Sequence, residues 1–338
     1  MVCALCQQNE ANKKNTHYLT DAVIRSCLNQ DGSGDREEGF YFDISTNNPY
    51  VSFNFQRGTS IEKLEQSLGR EATEEEINKA KEIPYSVDYV FCTDCENIFT
   101  KIETPFIETV LPKFRAADLS GIHRIDVEEN RIAKMFFYLQ IWRTAICESQ
   151  FGLQADTLEK LRESILNYEA IGNDDIPIFP IHITYLQTLG DAKSFTENIV
   201  GCTNDRNPNI IFFNDFVIQF FENEDSVKEL EFYGLNESHD LNELINTNNE
   251  VCKIKIVGDD KRKEFLEAVH YEETAQKRMF QFTRLLITKW LFIFRGLPNQ
   301  HIVQEYMEYL TQGNFNILKY TEKAIHEKTD AFIQAKLT

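Results

Sequence analysis

Apolar residues recur along this chain in several rhythms, and each rhythm predicts a different element. Between residues 106 and 172 they return at three- and four-residue steps. Ile132, Met135, Phe136, Leu139, Trp142 and Ile146 form such a stripe, which predicts a helix opening near Asp126 and Glu129. TLEKLRESILNYEAI predicts a second helix. Between 176 and 257 the apolar residues crowd into IPIFPIHITYL, NIIFFNDFVIQFF and VCKIKIV, with Asn and Asp between them. Branched and aromatic residues at that density predict strands. From residue 260 to 336 the helical period returns in long stretches.

The first 105 residues are more mixed. DAVIRSCLN reads as a short helix that Thr20 can cap, with Val23, Ile24 and Cys27 on one face. NQDGSGDREEG reads as a loop, and FYFDIS and YVSFNF as strands about a TNNP turn. Thr73 with Glu76 has the spacing of a capping box for a helix beyond Gly69. YVF leads as a strand into Cys92, and ENIFTKIE leaves Cys95 as a helix. The expected architecture is α+β: a zinc-bearing module over 1–105, then a mostly helical body over 106–338 with a small antiparallel sheet inserted at 176–257.

Composition narrows the picture. With 42% hydrophobic and 26% charged residues among 338, the chain has the material of a globular core. A formal net charge of −19 repels phosphate backbones, which argues against a general nucleic-acid coat. It leaves room for a nuclease, because only the charge around a site has to be favourable. The N-terminus lacks the pattern of a secretory signal. The most apolar run, LLITKWLFIF, is short and contains Lys289. The expectation is a cytoplasmic protein without a membrane partner, whose eight cysteines stay reduced.

Four of those cysteines form two Cys-x-x-Cys pairs, Cys3/Cys6 and Cys92/Cys95. Each such turn presents two sulfurs to one ion, so the two together make a complete tetrahedral set for Zn²⁺. A zinc closed by four thiolates has no open position and does not itself activate water. It staples the first residues of the chain to the region of Cys92.

The order of these segments resembles the zinc-stapled HNH, or ββα-metal, endonucleases. It is most similar to a bacterial group carrying a Ser-His-Ile-Ile-Pro segment and a Leu-Cys-x-x-Cys-Glu segment. The corresponding stretches are Thr16-His17-Tyr18-Leu19-Thr20 and Phe91-Cys92-Thr93-Asp94-Cys95-Glu96, and a Trp-Arg pair is present as Trp142-Arg143. The resemblance covers the first hundred or so residues. It implies phosphodiester hydrolysis of DNA or RNA, in a context of bacterial anti-phage defence. It implies His17 as the general base and a second, catalytic ion, Mg²⁺ or Mn²⁺, distinct from the zinc. The sequence departs from the family pattern in two places. Thr16 stands where an acidic residue or His often precedes the base, and Glu96 stands where a histidine usually follows the second pair. Asp88, near the usual Asn, and Glu103, two helical turns beyond Glu96, are further candidates to hold the ion.

KRMFQFTRLLITKWLFIFRG holds five basic residues and no acidic one. Lys277, Arg284 and Arg295 fall on one helical face, a candidate nucleic-acid contact or a basic edge paired with acidic neighbours. The alternative function is a zinc-stabilised protein without chemistry, whose partner is another protein or a nucleic acid. The oligomeric state is not encoded in any motif.

Overall fold

The computed structural model describes residues 1–28, 39–40, 42–43, 53–54, 61–62, 65, 70–80, 85–115, 117–188, 199–202, 208–227, 232–233, 235–236, 242–270, 276–311 and 322–337. The Gly-rich loop NQDGSGDREEG and the TNNP turn lie outside the described residues.

The N-terminal part contains β1 (Thr16–His17), α1 (Asp21–Leu28), β2 (Gly39–Phe40), β3 (Phe42–Asp43), β4 (Phe53–Asn54), α2 (Glu74–Ala80), β5 (Ser86–Val87) and α3 (Thr93–Pro105). The capping box forms: Thr73 accepts from the amide of Glu76 at 3.2 Å, and Glu76 accepts from the amide of Thr73 at 2.9 Å. These bonds satisfy amides that the first turn of a helix leaves without partners. Helix α3 buries Cys95, Phe99 and Ile102, a stripe at four- and three-residue steps. It ends at Pro105 and runs through one π-turn, Phe106–Val110, into the short α4 (Pro112–Arg115).

The centre of the molecule is α5 (Asn130–Cys147) against a mixed sheet. The amphipathic stripe read from the sequence is only part of that helix, because every residue from Ala133 to Thr144 is buried. A helix packed on several sides buries its whole circumference. One side meets α3 and α6 (Ala155–Leu166); the other meets the sheet.

Six strands make up most of that sheet: β6 (Arg124–Val127), β7 (Ile181–Leu186), β8 (Ile199–Cys202), β9 (Asn209–Phe213), β10 (Phe216–Phe220) and β11 (Cys252–Val257). The two-residue β3 adds to one edge, giving the order β3-β8-β9-β10-β7-β11-β6. NIIFFNDFVIQFF is an antiparallel hairpin turning at Asn214-Asp215, with Asn214 in the left-handed region at φ 54°. Strands β7, β9 and β10 are buried on both faces, which explains their near-continuous apolar runs. Ile183, Phe213, Phe216 and Ile218 face α5, while Ile210, Phe212 and Val217 face Phe265, Leu266 and Val269 of α7 (Asp259–His270).

Two expectations are corrected here. The sheet is mixed and not purely antiparallel, since β11 runs parallel to β7 and β3 parallel to β8. It also recruits strands from outside 176–257. The segment near Asp126 opens no helix. Residues 124–127 alternate exposed and more buried side chains and pair antiparallel with β11, while the helix begins at Asn130. Period-two alternation over R-I-D-V, with a partner strand to satisfy its amides, places Asp126 in a strand, while Glu129 stands at the N-cap of the helix as expected.

Helices α8 (Gln276–Phe294), α9 (Gln300–Thr311) and α10 (Glu322–Gln334) pack together around Phe282, Leu286, Tyr306, Leu310, Ile325 and Ile333. No described helix is long and apolar enough to cross a membrane.

Candidate metal centre and the surroundings of His17

The chain begins with a knuckle. The amide of Gln7 donates to the Cys3 carbonyl at 2.9 Å, and Gln7 sits at φ 53° to close the turn. The second knuckle opens α3, with Cys92 extended at its N-cap. Main-chain bonds bring the two together: Ala4 donates to the Val90 carbonyl at 3.0 Å, and Lys13 to the Phe91 carbonyl at 3.0 Å.

As a result Cys3, Cys6, Cys92 and Cys95 bring their sulfurs within 4.8 Å of one another. The Cys6 and Cys92 sulfurs are 3.9 Å apart. A tetrahedral zinc with Zn–S bonds of about 2.3 Å requires sulfurs about 3.8 Å apart. Amides point at this cluster, among them Cys92 to the Cys3 sulfur at 3.3 Å and Asn9 to the Cys6 sulfur at 3.4 Å. Such donors stabilise the negative thiolate. Among the described residues this is the one group of three or more metal-ligating side chains close enough to share an ion, and its spacing suits structural zinc. Without the metal, burial pushes the Cys95 and Cys3 thiols up. Burial opposes ionisation at Cys6 as well, but amide hydrogen bonds from Asn9 and Gln8 bring that thiol down to about 7. Phe91 and Phe99 close the inner side of the staple and lie 5.9 and 6.3 Å from the Trp142 ring.

His17 lies beside this centre on β1, paired antiparallel with Ser86 of β5. The pairing extends past the two-residue strands, since Tyr89 donates to the Lys13 carbonyl and Tyr18 to the Tyr85 carbonyl. Its side chain is 27% exposed, and its Nε2, itself buried, is 3.5 Å from Oδ1 of Asp21, the first residue of α1. The preceding residue, Thr16, is buried.

The three carboxylates read from the sequence as holders of a second ion stand apart. Asp88 accepts from the amide of Asn15 at 2.8 Å, where Asn15 turns the chain at φ 54°. Glu96 pairs with Lys13 at 3.0 Å. Glu103 accepts from Thr20 Oγ1 at 2.5 Å and pairs with the buried guanidinium of Arg143. Arg143 in turn donates to the His17 carbonyl at 2.9 Å and to Gln140 Oε1 at 3.1 Å. Gln140 accepts from the amide of Thr20 at 3.0 Å. Tyr18 donates to Glu148 at the end of the same helix. Helix α5 thus grips both sides of His17.

Of the basic residues read as a nucleic-acid contact, Arg284 and Arg295 are exposed, and the side chain of Lys277 lies outside the described residues. The sequence reading did not single out Asp21 or Gln140. The only sequence signal for Asp21 was its four-residue distance from His17, and Gln140 had none.

No known protein family, curated protein or solved structure matches this chain.

Proposed function

We propose that the N-terminal unit is a zinc-stapled, HNH-like module that hydrolyses phosphodiester bonds in DNA or RNA, with His17 as its reactive residue. One observation carries the reading. His17 stands on the first strand of an antiparallel pair, and the second strand leads into the knuckle from which α3 departs. That strand–strand–helix order on a four-thiol staple is the arrangement the resemblance implies.

A partly exposed imidazole beside a carboxylate suits abstraction of a proton from water. Asp21 orients the ring and stabilises it once charged. The zinc is structural in this reading, since four thiolates fill its shell. Mg²⁺ or Mn²⁺ supplies charge stabilisation at the phosphate when bound in enzymes of this type. Asp88, Glu96 and Glu103 each hold a partner of their own, Asn15, Lys13 and Arg143, and do not converge on one ion as they stand.

A second reading, a zinc-stabilised binding protein without chemistry, is favoured by that same engagement of the carboxylates. One assay separates the two. The zinc-loaded chain is incubated with single- and double-stranded DNA and RNA, with and without Mg²⁺ or Mn²⁺. Cleavage that falls by about 10²–10⁴-fold in His17→Ala, at unchanged zinc content, supports the nuclease. Absence of cleavage on all substrates leaves the binding protein, and equal cleavage by the variant overturns the role of His17.

A further inference from the structure

Asn15, Tyr85 and Tyr89, on the ribbon around His17, hold their backbone in the left-handed region. Asparagine enters that region at little cost, but a bulky side chain there is an outlier that some other gain has to offset. For Tyr85, at φ 53°, the gain is visible. Its ring is buried and meets Tyr18 edge-on with centres 5.9 Å apart, and its hydroxyl points at the Val200 carbonyl, 3.5 Å away.

Tyr89, at φ 59°, has no such burial, since it is 42% exposed. The ammonium of Lys14, itself an exposed residue, stands 5.1 Å from its ring centre. What the fold uses is the Tyr89 main chain, whose amide donates to the Lys13 carbonyl at 2.7 Å. A glycine would make that bond with less strain. The ring is therefore carried against the preference of its own backbone, and strain of that kind points to a use outside the fold. Its place suggests the use. Tyr89 lies three residues past Ser86, the strand partner of His17, or about 10 Å along the ribbon. That is about three nucleotides of a stacked strand.

We propose that Tyr89 and Lys14 bind single-stranded nucleic acid beside His17, the ring stacking on a base and the ammonium meeting a neighbouring phosphate. The inference rests on the nuclease reading and adds to it the kind of substrate. An aromatic platform accepts any base, but only one that is not already stacked and paired inside a duplex. Stacking also suits an acidic chain, because it does not depend on charge. Asp88, next to Tyr89, has its carboxylate taken up by the Asn15 amide at 2.8 Å, and Lys14 adds one phosphate contact to the stack.

The test is fluorescence anisotropy of a labelled DNA or RNA oligonucleotide of mixed sequence, single-stranded and as its duplex, titrated with the full, zinc-loaded chain. Mg²⁺ and Mn²⁺ are omitted, so that binding is read apart from cleavage. The wild type should prefer the single strand. Tyr89→Gly should weaken that binding by about tenfold or more, while its melting temperature holds or rises. Tyr89→Phe should keep the affinity, and Lys14→Gln should reduce the slope of log affinity against log salt by about 0.7. Preference for the duplex, or unchanged single-strand affinity in Tyr89→Gly, overturns the proposal. So does a lowered melting temperature in that variant, because the ring then serves the fold. Cleavage that needs His17 and ignores Tyr89 overturns this proposal alone. Single-strand binding through Tyr89 without cleavage overturns the nuclease reading alone, and a chain that binds no nucleic acid overturns both.

Discussion

Arg143 donates from Nη1 to the main-chain carbonyl of His17 at 2.9 Å, and its Nη2 meets Glu103, Thr20 and Gln140. A residue in the middle of the chain therefore fixes the exit of the strand that carries the candidate reactive histidine. The guanidinium is 2% exposed and also lies 5.3 Å from the Phe99 ring centre, so the same group joins β1, α3 and α5. Glu103 balances its charge inside the protein. This arrangement accounts for a carboxylate, on the helix that carries Cys95, that points at an arginine.

Arg143→Ala should cost about 3–5 kcal/mol of stability, because it leaves Glu103 charged without its partner in a largely dry setting. Arg143→Lys should recover only part of that loss, since one ammonium cannot span the His17 carbonyl and Glu103 in the way a planar fork does. Urea unfolding of the two variants at neutral pH measures both. Equal stability of wild type and Arg143→Ala would refute the role assigned to this contact.

The purified chain should carry one zinc, and Cys3→Ser or Cys92→Ser should lose it, as read by elemental analysis. Zinc has to displace protons from thiols that burial holds up at Cys3 and Cys95. Its affinity should therefore fall as pH falls, with protons released on binding. In the zinc-free chain the raised Cys3 and Cys95 thiols add stability below the ordinary value of 9.0 that is lost as pH climbs above it. Cys6, held down to about 7, instead makes stability rise with pH between about 7 and 9.0. Melting curves with and without chelator across pH should diverge in these directions.

Lys134 is buried on α5, where it donates to the carbonyl of Asn248 and, at 2.7 Å, to Asn249 Oδ1. Burial brings its ammonium down to about 8 from 10.5, against a small opposing effect of Cys252. Between those two values the unfolded chain binds more protons than the folded one, so this group makes stability rise with pH across that interval. Lys134→Met should flatten that segment of the stability profile. A slope identical to wild type would count against the assignment.

Trp142 is 1% exposed and packs on Phe91 and Phe99, the rings that back the cysteine staple. Trp142→Ala should cost about 3–5 kcal/mol through the cavity it leaves. Because that cavity opens behind the second knuckle, chelators should strip zinc faster from the variant than from wild type. Unchanged release kinetics would mean that the staple does not depend on this packing.

Several features of the fold were written locally. The two knuckles, the capping box at Thr73 and Glu76, and the hairpin at Asn214-Asp215 each depend on a few neighbouring residues with particular donors, acceptors or backbone angles. The basic residues of α8 were legible as sharing a helical face, because a helix converts sequence spacing directly into direction. The exposure of Phe280 and Phe292 was not, since periodicity says which residues share a face and not which face is covered.

The sequence by itself determined that four cysteines form two metal-type turns, and it located most of the long helices and the apolar strands of the sheet. The tertiary structure alone decided that β3 and β6 join the sheet, that Glu103 faces Arg143, and that Asp88 and Glu96 are engaged before any ion reaches them. The physical reason is range. Periodicity and turn chemistry act over a few residues, whereas the pairing of Phe42 with Ile199 and the Arg143–Glu103 ion pair join distant segments that share no local pattern.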